Sequence, residues 1–280
     1  MMREHATTTL VEGLGFLEGP RWRDGRLWFS DFVSRTVHTV DLDGMLSDVI
    51  EVEGVPSGLG WLPDGRMLVV SMEDRRLLRM DDGGSVEHAD LSAYATYHCN
   101  DMVVDNHGRA YVGNFGFNYE TGETPVGAKL MRVDPDGSAH VAADGLMFPN
   151  GTVITPDGRT MVVGESFGAR LTAFDVADDG TLSNRRVWAQ LDDGRIPDGN
   201  CLDAERAIWV ASPTTKEVVR VLEGGEITDR IGTGEREAIA CMLGGDDRRT
   251  LFVLASTLAR EPGSGSISTV TVDVPGAGLP

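Results

Sequence analysis

Short apolar runs punctuated by polar turns organise this chain. Six times a polar, Gly-containing stretch leads, eight or nine residues later, into an arginine and then an apolar run. The arginines are Arg26, Arg66, Arg109, Arg159, Arg206 and Arg249, spaced by 40, 43, 50, 47 and 43 residues. The runs after them include Leu27-Trp28-Phe29, Met67-Leu68-Val69, Ala110-Tyr111-Val112, Met161-Val162-Val163, Ile208-Trp209-Val210 and Leu251-Phe252-Val253. Runs this short, bounded by turn residues, read as strands. Strand units repeating every 40–50 residues predict propeller blades. The expected fold is an all-β, six-bladed β-propeller, with residues 1–280 as one domain.

Further strands are expected at 36–41, 77–80, 129–133, 171–176 and 218–222. Turn signals follow them at Asp43-Gly44, Asp82-Gly83, Asp136-Gly137, Asp179-Gly180 and Gly224-Gly225. β-prone runs at 7–11 and 266–274 flank the repeats. An open sheet edge invites association, so the N-terminal run is expected to pair into the last blade as its outer strand. Irregular stretches at 114–127 and 257–264 are the long loops, and long loops in compact domains are often functional.

Aligned on their arginines, the repeats begin with Glu18-Gly19-Pro20, Pro56-Ser57-Gly58, Asn100-Asp101, Pro149-Asn150-Gly151, Pro197-Asp198-Gly199 and Ala240-Cys241. Taken singly, Asx-Gly pairs are ordinary turn sequences. Four oxygen side chains at equivalent places around a ring point instead to a shared site: Glu18, Asn100, Asn150 and Asp198. Two carboxylates and two amides suit a hard cation, and Ca²⁺ tolerates such irregular oxygen sets. The pattern offers no histidine or thiolate that would favour structural zinc.

The chain has 44 acidic against 25 basic residues, a net charge of −19. That excludes a nucleic-acid phosphate or anionic membrane partner as an expectation. No apolar run reaches the roughly 20 residues of a membrane helix, and residues 1–9 carry no signal-peptide core. Three cysteines, Cys99, Cys201 and Cys241, form no disulfide framework, and each sits near a repeat head where it could face the axis. A cytoplasmic protein is expected.

Leu17-Glu18-Gly19-Pro20, Cys99-Asn100-Asp101, Phe148-Pro149-Asn150-Gly151 and Ile196-Pro197-Asp198-Gly199 resemble the motifs of the gluconolactonase/regucalcin (senescence marker protein) family. Cys241-Met242-Leu243-Gly244-Gly245-Asp246 is similar to that family's last blade. The resemblance covers nearly the whole chain. It implies a six-bladed propeller holding a divalent cation, calcium first, with Zn²⁺, Mn²⁺ or Mg²⁺ as alternatives. It implies hydrolysis of a small-molecule lactone or related ester. It assigns the metal to Glu18, Asn150 and Asp198, with Asn100 as fourth ligand or substrate contact. Asp198 takes the acid/base role, direct nucleophilic attack being the other route open to it.

One departure bears on substrate. Sugar-lactonase members of the family carry an Arg two residues before the third motif's Asn, where this chain has His98. A neutral imidazole offers one donor and one acceptor against the fork of an arginine. Phe115, Phe117, Tyr119, Met147, Phe148 and Phe167 lie nearby in sequence. His98, Phe115, Phe117 and Phe148 are therefore expected, with Asn100, to form a pocket for a less hydroxylated ring than an aldonolactone. Two other readings stay open: phosphotriester hydrolysis on the same metal propeller, and a non-catalytic calcium-binding propeller. A serine hydrolase is disfavoured, since no Gly-x-Ser-x-Gly sits in a strand–helix context.

Overall fold

The computed structural model describes residues 2–279. Strands β1 (Arg3–Glu4) and β2 (Thr8–Leu14) precede the first repeat. Blade 1 comprises β3 (Leu17–Arg23), β4 (Arg26–Asp31), β5 (Thr36–Val40) and β6 (Leu46–Glu51). Blade 2 follows with β7 (Pro56–Trp61), β8 (Met67–Ser71), β9 (Arg76–Asp81) and β10 (Gly84–Asp90). Blade 3 has β11 (Cys99–Val104), β12 (Ala110–Asn114), β13 (Ala128–Val133) and β14 (Ala139–Leu146). Blade 4 has β15 (Pro149–Ile154), β16 (Thr160–Glu165), β17 (Arg170–Val176) and β18 (Leu182–Gln190). Blade 5 has β19 (Asn200–Leu202), β20 (Ile208–Ser212), β21 (Glu217–Val221) and β22 (Ile227–Gly232). Blade 6 has β23 (Glu237–Gly244), β24 (Thr250–Ser256) and β25 (Gly265–Thr271). The fold is the expected six-bladed propeller, its only helices among the described residues being single turns at Ser166–Gly168 and Pro213–Thr215.

The innermost strands β3, β7, β11, β15, β19 and β23 touch in sequence around the ring, and β23 returns to β3. Blades meet through apolar faces. Phe29, Tyr111, Trp209 and Phe252 are fully buried, and Trp22 of blade 1 stacks on Phe252 of blade 6 at 5.4 Å. Cys201 and Cys241 pack into that same interblade core, and Cys99 into another, so all three thiols are free and buried in packing.

Closure follows expectation. β2 pairs antiparallel with β25, Thr8 opposite Thr269 and Leu14 opposite Gly265, and supplies blade 6 with its outer strand. Two further seals had no sequence signal. β1 adds in parallel to β22 of blade 5, fixed by Arg3 and His5 on the buried Asp229 at 2.8 and 2.9 Å. The strand expected at 266–274 ends at Thr271, and the tail beyond it crosses the far ends of the inner strands. There the Ala277 N–H donates to Leu202 O, and Leu279 exchanges two hydrogen bonds with Ile154.

Deleting residues 1–14 exposes the β25 edge and unseals the ring. The truncated chain is expected to self-associate on size exclusion and to melt at least about 10 °C lower, a loss of roughly 3–5 kcal/mol for a domain of this size. A monomer melting like the full chain would refute closure by β2.

Candidate functional site

The repeat heads are not turns. Four of them are bulged ends of inner strands. Pairing slips between Glu18 and Arg21 in β3, between Pro56 and Leu59 in β7, between Cys99 and Met102 in β11, and between Pro149 and Thr152 in β15. A bulge adds one residue and re-aims side chains. The motif glycines serve blade packing: a Cβ on Gly151 would stand 2.4 Å from Asp198 O, and one on Gly19 2.6 Å from Ser57 O. Only glycine lets neighbouring backbones approach so closely. Glu18, Asn100 and Asn150 thus ride on adjacent or near-adjacent inner strands, all buried. Asp198 precedes β19 in a short loop, its N–H donating to Ala211 O at 2.9 Å.

A second set of residues holds these heads in place. Each second strand of a blade ends in a buried polar side chain: Asp31, Ser71, Asn114, Glu165, Ser212 and Ser256. Asp31 accepts from the Gly15 N–H at 2.7 Å, three residues before Glu18. Glu165 accepts from the Met147 N–H at 2.7 Å, three before Asn150. Ser212 accepts from the Ile196 N–H at 3.2 Å, two before Asp198. Burial alone would raise the Glu165 carboxyl, but Arg170, Thr172 and Met147 overcome it and hold the pKa below the usual range. An ionised anchor accepts stronger hydrogen bonds than a neutral one.

The structure brings Asn150 and Asp198 into contact. Asn150 Nδ2 donates to Asp198 Oδ1 at 2.6 Å and to Ser166 Oγ at 3.2 Å, and Ser166 Oγ donates to Pro197 O at 2.7 Å. Burial holds the Asp198 carboxyl up to about 8, against the opposing bond from Asn150. Glu18 is pushed well above the usual carboxylate range, first by burial, then by the charges of Asp198 and Asp101. Its one hydrogen bond is from the Gly19 N–H at 3.2 Å. Asp101 has its own partner, Arg21, at 2.8 Å. That guanidinium also donates to the carbonyls of Leu59, Pro20 and Met102, so its donors are taken up.

Three polar atoms at the same level are buried without a partner: Asn150 Oδ1, Asn100 Nδ2 and Ser57 Oγ. Such atoms are costly unless something bonds them. Among the described residues no group of three or more His, Cys, Asp or Glu side chains gathers as a metal cluster. The site has two carboxylates, and its remaining donors are neutral. A buried carboxylate, Glu18, and a half-buried one, Asp198, neither with an ion-pair partner among the described residues, beside an orphaned amide oxygen, fit a divalent cation with oxygen preference. Asn100 makes no side-chain hydrogen bond to the other three among the described residues, and lies on β11 next to β15.

An aromatic wall stands at the same end of the axis. Phe115 stacks on Phe148 at 4.4 Å, and Phe117 meets Phe167 edge-on at 4.9 Å. His98 stacks on Tyr97 at 4.0 Å and lies 5.8 Å from Phe115. Burial pushes the His98 pKa down, so the ring is neutral at pH 7. Phe148 and Val55, each just before a blade-head proline, take left-handed backbone at φ 61° and 65°. For bulky or β-branched residues this costs about 1–3 kcal/mol, and such strain gathers at functional sites. Phe16 and Phe32 of blade 1 join the wall at 5.3 Å from each other. Sequence reasoning missed both. Phe32 follows Asp31 as Phe115 follows Asn114, so aligning the second-strand ends would have found it.

The two long loops meet at this wall. From 257–264, the Arg260 guanidinium lies over Phe16 and Phe32 at 5.3 and 5.5 Å and donates to the Tyr119 hydroxyl of loop 114–127 at 3.2 Å. By contrast, the groove of about 340 Å³ lined by Trp22, Leu59, Val104 and Leu279 lies at the opposite strand ends, where Leu279 seals the axis.

A 6-deoxy-6-sulfogluconolactonase of Pseudomonas putida is 28% identical over 94% of this chain and 93% of its own. A pentonolactonase of Haloferax volcanii is 26% identical over 89% and 83%. Among solved structures, the calcium-binding protein regucalcin of Agrobacterium tumefaciens superposes with a TM-score of 0.84 at 22% identity, over 100% of this chain and 98% of that one. The family model described as SMP-30/Gluconolactonase/LRE-like region matches residues 16–257, so the chain belongs to that family.

Proposed function

We propose that the chain is a divalent-cation-dependent lactone hydrolase. The observation that carries this reading is the Asn150–Asp198 contact at 2.6 Å beside the buried Glu18, two carboxylates without a cationic partner next to an orphaned amide oxygen and an aromatic wall. The lactonase names of its relatives support the substrate class.

Glu18, Asn150 and Asp198 would hold the cation, with Asn100 as fourth ligand or substrate contact. When bound, a divalent ion polarises the carbonyl and stabilises negative charge on its oxygen. Asp198 takes a proton from the attacking water. It returns that proton to the ring oxygen as the acyl C–O bond breaks, giving the hydroxy acid. Desolvation raises the Asp198 carboxyl, and a cation alongside would draw it back down and keep it ionised to accept the proton. Asn150 fixes the Asp198 carboxylate by its short bond and is itself fixed by Ser166. Phe115, Phe117 and Phe148 would exclude water above the ring, and neutral His98 would give or accept a single hydrogen bond. The calcium-binding description of the Agrobacterium protein supports calcium as the ion to test first. Three buried free thiols suit a reducing, cytoplasmic setting.

A pH-indicator panel of lactones, run with and without EDTA, tests the reading. EDTA is expected to abolish hydrolysis and lower the melting midpoint, because an ion bound only by the folded chain stabilises it by about 2.7 kcal/mol at a hundredfold excess over its Kd. The chelated protein carries a further sign. Raised carboxyls at Glu18 and Asp198 mean the folded state binds more protons than the unfolded one above about pH 4. Stability of the chelated protein is therefore expected to fall as pH rises towards about 8. Calcium should reverse that trend. Indifference of melting and hydrolysis to EDTA at every pH would rule out the cation site.

Asp198→Asn keeps an oxygen but cannot take water's proton. Turnover is expected to fall at least about 10²-fold at saturating metal, with weakened but measurable cation binding. Turnover kept within about threefold would place proton transfer elsewhere.

The wall and His98 favour weakly hydroxylated rings. Specificity constants are expected to be higher for lightly substituted γ- and δ-lactones than for gluconolactone, with shallow discrimination of about 1–3 kcal/mol per methylene. His98→Arg should shift preference towards polyhydroxylated rings. A wild-type preference of tenfold or more for gluconolactone would overturn this assignment.

A further inference from the structure

Most buried arginines of this chain spend their donors on acceptors. Arg21 reaches Asp101 and three carbonyls. Arg220 reaches Asp203 at 2.6 Å, Glu205 at 2.8 Å and Thr228 at 3.2 Å. Arg109 reaches Asp105 at 2.6 Å and Asp178 O at 2.8 Å. These are structural ties. Arg260 is built differently. Its guanidinium rests on the rings of Phe16 and Phe32, a support that fixes the plane but takes no hydrogen bond. It donates to one acceptor, Tyr119 Oη at 3.2 Å. Glu120 Oε1 stands 3.7 Å away, an ion pair beyond hydrogen-bonding distance and half-exposed. The side chain keeps 31% of its surface. Most of its five N–H donors stay free.

Its position gives those donors a purpose. Phe16 and Phe32 belong to the same apolar cluster as Phe115, Phe117 and Phe148. Tyr119, which orients the guanidinium, packs 5.7 Å from Phe115 and 6.0 Å from Phe148. Arg260 acts electrostatically on both Glu18 and His98, after burial and after carboxylates that include Asp198 at Glu18 and Glu73 and Glu120 at His98. This end of the axis therefore has an aromatic side, an imidazole and a cation with donors to spare. A planar, always-charged fork of this kind matches a carboxylate or sulfonate.

We propose that Arg260 determines specificity by binding an anionic substituent of the lactone, so that the preferred substrates carry one carboxylate or sulfonate outside the ring. The inference rests on the lactonase reading. Attraction acts at contact: the chain's charge of −19 repels anions at a distance, but exposed charges are screened beyond about 8 Å at physiological salt. The aromatic wall takes the apolar ring and Arg260 takes the charged arm.

The test compares two γ-lactones with the same ring, one alkyl-substituted and one bearing a terminal carboxylate, in wild type, Arg260→Gln and Arg260→Lys. Wild type is expected to favour the carboxylate lactone. In Arg260→Gln the ratio of the two kcat/KM values should shift against it by about 10–100-fold, mostly through KM, the worth of a hydrogen-bonded charge pair. Arg260→Lys should recover part of the ratio, since it keeps the charge and loses the fork. A sulfonate analogue distinguishes the two anion classes. Equal losses on both lactones, or a wild type that favours the neutral one, would reduce Arg260 to a loop clasp and overturn the proposal. If wild type opens neither lactone, the lactonase reading fails separately. Calorimetric titration with glutarate and propane-1-sulfonate then decides for Arg260: binding lost in Arg260→Gln supports it, and no binding by wild type overturns it.

Discussion

Two carboxylates held at one axis with no ion-pair partner among the described residues, Glu18 buried and Asp198 half-buried, are the constraint on which this molecule turns. Glu18 and Asp198 lie far apart in sequence, and left alone they would move apart or into water. The closed ring prevents both. β3 carrying Glu18 is locked between β7 and β23, and the Asp198 segment between β15 and β23. Each carboxyl is pushed up because neither can escape burial. Stability lost there is recovered in the interblade apolar packing, where Trp209, Tyr111 and Phe252 are wholly buried. A fold that spends stability on a polar site needs that surplus elsewhere.

Most of the frame was legible because it repeats. Arginine-led strands gave six blades, though they are the second strand of each blade and the heads themselves begin the innermost; the further strands expected at 36–41, 77–80, 129–133, 171–176 and 218–222 agree with the observed third strands within one residue. The closing strand was legible because a ring cannot leave an edge open. What the sequence hid has no period. β1 is two residues long and bound by one buried aspartate, Asp229, and the C-terminal seal is made by backbone bonds at Ala277 and Leu279. Neither carries an apolar pattern. The site divides the same way. Asn150 and Asp198 meet as their blade-head positions suggested, and Glu18 is electrostatically tied to Asp198. Asp101, beside Asn100 in the same head, is held instead by Arg21. That pairing spans 80 residues and no spacing announces it.

The second-strand residues show how a periodic scaffold places unlike groups. Asp31, Glu165 and Ser212 bind backbone N–H groups two or three residues ahead of Glu18, Asn150 and Asp198. The anchor is chosen by what surrounds it. Glu165 sits among Arg170, Arg185 and Thr172 and stays charged. Ser212 works as a neutral acceptor beside Thr214 and Thr215. The periodic feature is therefore the bond to the loop, while the side chain making it varies. Alignment by residue identity misses it, and alignment by strand end finds it.

Specificity then falls to whatever the loops bring over a common floor. Floor residues are held by bulges and by glycines whose Cβ would strike the next blade, so they tolerate little change. The loops 114–127 and 257–264 hold themselves mainly by local bonds, such as Asn118 with Glu123 and Ser264 with Glu261, and can vary without disturbing the ring. Here they deliver Phe115, Phe117 and Tyr119 from one side and Arg260 from the other. A stacked His98, its pKa lowered by burial, stands two residues before Asn100. A guanidinium on an outer loop can do what one at an inner-strand head could not. An arginine at the head would share the electrostatics of Glu18 and Asp198. At the rim it lies on aromatic rings with its donors free, and reads the part of the substrate that does not react.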